Sequence, residues 1–344
     1  MKIVADTSIP FLKGLFEPYA EVVYLDGSAI GPDDVRDADA LIVRSRTRCG
    51  RELLEGSSVK LISSATIGID HIDTEWCDAN GIAYANAPGS NASGVAQYVF
   101  SAMYGAASRS AINLEKATLG VIGVGNVGRR VAATGRTLGF RVLLCDPPRA
   151  SREGGYEFTS LDKLLKESDI VTLHVPLRDS TRKMAGADFF RKMKKGAFFI
   201  NTSRGEIVDD EALKKAIGRL GPVIIDTWNN EPHVDRDLVD MVDIATPHIA
   251  GYTYQGKQNS TAVAVRSVAH FFGIKELYTF FPKTEHPSNE AVKLDVAGKN
   301  QGEITSLMQY NYPIFTDDFM FRLQPDGFEE LRKKYNYRRE FYIE

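Results

Sequence analysis

Arg204, Glu231 and His248 each follow a short apolar run, in "AFFINTSRG", "VIIDTWNNEP" and "DIATPHIAGYT". If those runs are neighbouring strands of a parallel sheet, three polar groups arrive at the edge where such sheets bind ligands. Imidazole changes protonation near neutrality and suits a general base. A carboxylate beside it would orient the ring and raise its basicity, and a guanidinium fork would hold a substrate carboxylate. Together these are the requirements for removing hydride and proton from a secondary alcohol. Each residue alone also has an ordinary reading, as a turn residue, a loop charge or a surface cation. The inference lies in the set.

A hydride needs an acceptor, and "TLGVIGVGNVGRRVAATGRTLGFRVLLCDPPR" provides for one. Gly123, Gly125 and Gly128 form G-x-G-x-x-G directly after a predicted strand and at the start of an amphipathic helix. The first glycine permits a tight turn, the second admits a pyrophosphate to the backbone, and the third packs helix on strand. The helix N-terminus then offers unpaired N–H groups to the phosphates. Asp146 ends the next strand, 18 residues after the last glycine, where an acid can bind a ribose diol. Its charge would repel a 2′-phosphate, so NAD is expected over NADP, although Arg149 nearby could serve the phosphorylated cofactor. Asp226 is expected on the nicotinamide side of the cofactor.

A third group of residues lies in "LIVRSRTRCG", where Arg44, Arg46 and Arg48 alternate after a buried run. On strict strand geometry all three would share one face, as solvated charges on an edge strand. If the chain instead leaves the strand at about Arg44, Arg44 and Arg46 can face an anionic ligand, with Arg48 a solvated neighbour.

These residues need elements to carry them. Short β-rich runs ("KIVA", "EVVYL", "ALIVR", "KLISSA", "IAYAN", then "TLGVIG", "RVLLCD", "DIVTLHVP", "AFFIN", "VIIDTW") alternate with helical stretches. That rhythm predicts two α/β domains with parallel sheets, joined through a long helix near 91–108 and enclosing a cleft. Residues 81–108 contain no charge, but their prolines, asparagines and glycines favour a buried helix over a bilayer span. From about 277 the chain turns aromatic and irregular, a small appendage expected to pack on a partner subunit. The net charge of −3 disfavours nucleic acid or an anionic membrane as partner. Three scattered cysteines suit a reducing cytosol and argue against a disulfide framework or a metal site. The opening "MKIVADTSIP" reads as a strand rather than a signal peptide.

With these motifs in hand, the chain resembles the D-isomer-specific 2-hydroxyacid dehydrogenases, whose signature is a glycine fingerprint followed by Arg, Glu and His in that order. The segments "VRSRT", "SATIGIDHID", "APGSNA", "CDPPRA" and "HIAGYTYQGK" narrow the resemblance to members acting on a phosphorylated four-carbon acid. The resemblance implies Arg204 and Glu231 as the active-site pair and His248 as the proton donor or acceptor. It places Asn126, Val127, Val175, Thr202, Ser203 and Gly251 at NAD, beside the glycines, Asp146 and Asp226. It places Ser45, Thr66 and Tyr252 at the substrate. Residues 1–94 with 255–276 would form a flavodoxin-like substrate domain, 95–254 a Rossmann NAD domain and 277–344 a dimerisation domain containing "FEELRKKYNYRREF". The expected protein is a cytoplasmic homodimer. Some positions depart from the family pattern: Ser90 stands for a usual Cys, Gln97 for a Glu and Val175 for a Thr. Two alternatives stay open: a D-3-phosphoglycerate or general D-2-hydroxyacid dehydrogenase, and an NAD-sensing module without turnover.

Overall fold

A computed structural model describes residues 1–344, which divide into two compact units. The first comprises Met1–Asn91 and Thr253–Glu290, the second Ala92–Tyr252 and Ala291–Glu344. Relative to the boundaries expected from sequence, residues 277–290 cluster with the first unit and 291–344 with the second.

The first unit is built on five parallel strands: β1 (Lys2–Asp6), β2 (Glu21–Leu25), β3 (Ala40–Val43), β4 (Leu61–Ser64) and β5 (Ala83–Ala85), in the order β2-β1-β3-β4-β5. Alternation along the strands gives each face its own core. Ile3, Ala5 and Ile42 pack with Ala264, Val265 and Val268 of the helix Tyr254–Phe272. Val4, Leu41 and Val43 pack on the opposite face with Val35, Leu54 and Cys77. That helix begins at Thr253, whose hydroxyl accepts from Gly256 N at 3.0 Å, and ends at Gly273 in the left-handed region.

The second unit carries six parallel strands: β6 (Thr118–Ile122), β7 (Arg141–Cys145), β8 (Ile170–Leu173), β9 (Phe198–Asn201), β10 (Val223–Ile225) and β11 (Ile244–Ala245). Their order is β11-β10-β9-β8-β6-β7. The helix Ala92–Arg109 is buried on nearly every side within this unit, which explains why the stretch contains no charge until Arg109. No helix is long and apolar enough to cross a membrane. Residues 291–344 add Met308, Ile314 and Phe341 to one core of this unit, and Phe321 and Phe328 to the other. A small parallel pair, β12 (Val292–Leu294) with β13 (Phe341–Ile343), closes that segment.

In each sheet the connections reverse direction once, beside β1 in the first and β6 in the second. The loops beyond the carboxyl ends of these strands are where ligands of such sheets bind. Asp6–Ser8 and Arg44–Arg46 lie at one switch point, and the loop Gly123–Gly128 at the other.

Candidate active site

The glycine loop follows β6 as expected. Gly123 adopts φ +83°, a conformation that side chains rarely accept, and sits against the His174 backbone. A Cβ on Gly128 would overlap the Gly123 carbonyl, so helix Asn126–Thr137 approaches the strand only with glycine there. Gly125 is exposed and a Cβ on it would meet nothing within 4 Å, leaving its backbone approachable by a ligand. Val175 lies against Gly123, while Asn126 and Val127 begin the helix.

Asp146 closes β7 and is half-buried. Its Oδ2 accepts from Val124 N at 2.8 Å and its Oδ1 from Arg149 N at 3.0 Å, tying the acid to the glycine loop. The Arg149 guanidinium is bound by Glu153 (Nε to Oε1, 2.8 Å) and by the Val124 carbonyl. That engagement speaks against Arg149 serving a 2′-phosphate. Thr202 Oγ1, beyond β9, is buried with no hydrogen-bond partner. An open glycine backbone, a tethered acid and an unpaired buried hydroxyl at one sheet edge fit a dinucleotide.

The loop after β9 is braced by its own side chains. Asn201 Nδ2 donates to the Arg204 carbonyl at 2.9 Å, Ser203 N to Asn201 Oδ1 at 3.0 Å, and Ser203 Oγ to the Leu173 carbonyl at 2.6 Å. Arg204 is half-buried and donates to the Ser203 carbonyl at 2.8 Å. Next to it, a Cβ on Gly205 would overlap the Trp228 carbonyl and Asn229 N. Glycine at 205 therefore lets the Arg204 loop close onto the loop that carries Glu231.

Glu231 and His248 meet: Nδ1 to Oε2 is 2.8 Å. The other carboxylate oxygen accepts from Trp228 N at 2.9 Å, and Trp228 Nε1 donates to the Thr246 carbonyl at 2.9 Å. Burial pushes the Glu231 carboxyl up, but the His248 charge and hydrogen bond outweigh it, holding the acid below its ordinary range. His248 itself has φ +55°, a strained conformation for a non-glycine residue, sustained only where neighbours over-determine it.

Asp226 supplies that constraint. It is 1% exposed, and its Oδ1 accepts from Thr246 Oγ1 (2.7 Å) and Ile249 N (2.8 Å), its Oδ2 from Ala250 N (3.0 Å). Its own carbonyl accepts from His248 N at 2.7 Å. Burial raises its proton affinity, and His248 and the donors pull the other way. Within the chain, the Asp226 carboxylate braces the loop that carries His248. Gly251 and Tyr252 continue that loop. The Tyr252 ring lies 6.0 Å from that of Tyr335 and 6.1 Å from that of Tyr337, with the Arg332 guanidinium 5.7 Å away. Sequence reading overlooked Arg332, Tyr335 and Arg338; their only signal was an aromatic and basic run that resembles an ordinary solvated helix.

In the first unit the chain does leave strand geometry at Arg44, since β3 ends at Val43. Arg44 donates to the Ser8 carbonyl at 3.3 Å, and Arg46 reaches Ser8 Oγ at 3.4 Å. Arg46 also pairs with Asp26 at 2.9 Å, while Arg48 is exposed and reaches the Asp70 carbonyl. Ser45 is exposed. Thr66 hydrogen-bonds Ser64 Oγ at 2.7 Å, and Ser64 Oγ is 3.0 Å from His71 Nε2. Ser8 was not singled out from sequence, though it follows the first strand.

Residues 93–250 match the family described as D-isomer specific 2-hydroxyacid dehydrogenase, NAD binding domain. The chain is 43% identical to an erythronate-4-phosphate dehydrogenase of Bacteroides fragilis, over 99% of this chain and 97% of the relative. It is 39% identical to the enzyme so named from Shigella dysenteriae, over 99% and 92%. Among solved structures, an NAD-bound 3-phosphoglycerate dehydrogenase of Entamoeba histolytica is similar at TM-score 0.69 and 28% identity, covering 82% of this chain and 99% of that one. A D-lactate dehydrogenase of Aquifex aeolicus with NAD and lactic acid matches at TM-score 0.66 and 27% identity, covering 82% and 100%. With the glycine loop, the tethered Asp146 and the Glu231–His248 pair already in place, the chain belongs to the D-isomer specific 2-hydroxyacid dehydrogenases, and residues 93–250 are its NAD-binding domain.

Proposed function

We propose that this protein oxidises the C2 hydroxyl of 4-phospho-D-erythronate to 3-hydroxy-2-oxo-4-phosphooxybutanoate, with NAD, as a step of pyridoxal 5′-phosphate (vitamin B6) biosynthesis. The observation that carries the chemistry is His248 Nδ1 held 2.8 Å from Glu231. With that nitrogen engaged, proton exchange with substrate falls to Nε2. Bound NAD supplies the hydride acceptor. His248 takes the hydroxyl proton, and Glu231 stabilises the imidazolium that results. Arg204 holds the substrate carboxylate and the oxygen that becomes a carbonyl. Asp146 receives the ribose diol, with Thr202, Ser203, Val175 and Gly251 among the cofactor contacts.

The substrate assignment draws on coverage. Erythronate-4-phosphate dehydrogenases align with 99% of the chain, whereas the lactate and phosphoglycerate enzymes cover 82%. Arg44, Ser45, Arg46, Thr66 and Tyr252 are the proposed substrate residues. Arg44 and Arg46, which both reach Ser8 beyond β1, are assigned to the phosphate. We assign the protein to the cytoplasm as a homodimer. The apolar side chains left exposed on 291–344, with Phe319 and Leu323 at 59%, support that assembly. Specificity constants for 4-phospho-D-erythronate, D-3-phosphoglycerate and D-lactate, followed by NADH absorbance, test the reading. A higher value for either rival replaces it.

A further inference from the structure

From the contacts of Arg338 we infer that this residue is a positioning residue for the proton-transfer loop, acting through the peptide groups that follow His248. The inference rests on the acid–base reading of His248 given above. Arg338 is half-buried, and its Nη1 donates to the carbonyls of Ile249 (3.0 Å) and Tyr252 (3.2 Å) and reaches the Tyr335 hydroxyl at 3.3 Å. Nη2 donates to the Ala250 carbonyl and to that of Gly94 at 3.3 Å. Nε reaches Gln97 Oε1 at 3.3 Å, and the Tyr312 ring lies 4.1 Å from the guanidinium carbon. The Asp317 carboxylate accepts from Tyr312 and Tyr335, both at 2.8 Å, and those two phenols lie against the guanidinium.

The peptide group joining Ile249 to Ala250 is the centre of the arrangement. Its carbonyl accepts from Arg338 and its N–H donates to the Asp226 carboxylate. In a trans peptide these two bonds point in opposite directions, so a half-buried guanidinium and a buried carboxylate grip one plane from both sides. The preceding peptide donates the Ile249 N–H to Asp226 as well. His248, whose φ of +55° is disfavoured, is thereby fixed from its C-terminal side and aimed at Glu231. Charge-assisted hydrogen bonds are roughly twice as strong as neutral ones, so a guanidinium is suited to hold four carbonyls in register.

Arg322 supplies an internal control. It too is an arginine of the 291–344 segment that binds carbonyls, those of Val239 and Val242, and it pairs with Asp318 at 2.9 Å. Those carbonyls belong to a helix end that carries no proposed site residue. The test compares Arg338→Met, Arg338→Lys, Arg322→Met and His248→Ala in the full chain, by thermal melting, NAD affinity and pH profiles of kcat. Arg338→Met is expected to lower kcat about 10- to 100-fold, to keep NAD affinity within a few-fold, and to move the acid limb of kcat to lower pH as Glu231 loses its grip on the ring. Arg338→Lys, with three donors in place of five, should recover part of kcat. Arg322→Met should lower the melting temperature and leave the pH profile unmoved. Wild-type kcat and profile in Arg338→Met overturn the inference, as does an identical loss and profile in Arg322→Met. Should Arg338→Met fail to fold, Arg338→Lys decides: a wild-type profile overturns the inference and a shifted one upholds it. His248→Ala separates the two readings, because its retained turnover would remove the acid–base assignment whatever Arg338 does.

Discussion

His248 and Glu231 share one hydrogen bond, and its loss has a direction. Replacing His248 by Ala should lower turnover by roughly 10²- to 10⁴-fold, the usual effect of losing a general base, while NAD affinity persists. Glu231→Gln removes the negative partner of the imidazolium, so the acid limb of the pH–rate profile should move to lower pH and kcat should fall. Steady-state rates across pH measure both. In the first unit, Arg44→Ala should raise KM for the phosphorylated substrate by the equivalent of about 2 to 5 kcal/mol, the cost of leaving a charge unpaired. An unphosphorylated analogue compared side by side should lose much less. His71 makes a separate prediction. Burial holds its imidazole down to about 4 from 6.5. The unfolded chain therefore binds the proton first, and stability present above pH 6.5 is lost as pH falls towards 4. The loss is on the order of 3 kcal/mol. Urea titrations of wild type and His71→Gln at several pH values should show that slope only in the wild type.

Among the elements, legibility followed length and pattern. The ten strand runs named from sequence all appear, because short, mostly continuous apolar runs between turn signals read as buried strands. The three-residue β12 and β13 were not anticipated, and β12 pairs with a strand far along the chain. Arg204, Glu231 and His248 could be singled out because each lies in the loop that follows a strand. Arg338 was not, since nothing in a basic, tyrosine-rich run distinguishes a buried guanidinium from a solvated one. Gly205 was similarly silent, being one glycine among 29. Its close approach to Trp228 predicts that Gly205→Ala will push the Arg204 and Glu231 loops apart. A displacement near 1 Å can cost about 10²-fold, so kcat/KM should fall by that order. Gly218→Ala, where a Cβ meets nothing within 4 Å, should be near wild type in the same assay.

For the whole molecule, the segment 291–344 belongs to the second unit's cores. Met308, Ile314, Phe321 and Phe328 are each 0% exposed. Burying such side chains contributes about 1.5 to 3 kcal/mol apiece, and a domain's net stability is only about 5 to 15 kcal/mol. A chain ending at Glu290 should therefore be insoluble or molten, as judged by near-ultraviolet circular dichroism and size exclusion. The aromatic richness after 277 announced burial; which surface it would cover was not readable, because a partner subunit and the chain's own sheet demand the same composition. The two units also interleave along the chain, each resuming after the other has begun. Synthesis runs one way, and domains tend to fold as they emerge. Here the glycine loop at 123–128 leaves the ribosome more than 200 residues before Arg338 is made. The loop 249–252, also made earlier, lacks its contacts to the Arg338 guanidinium until that residue emerges. Nascent chains of this protein should thus be dependent on chaperones for longer than their parallel sheets alone would require.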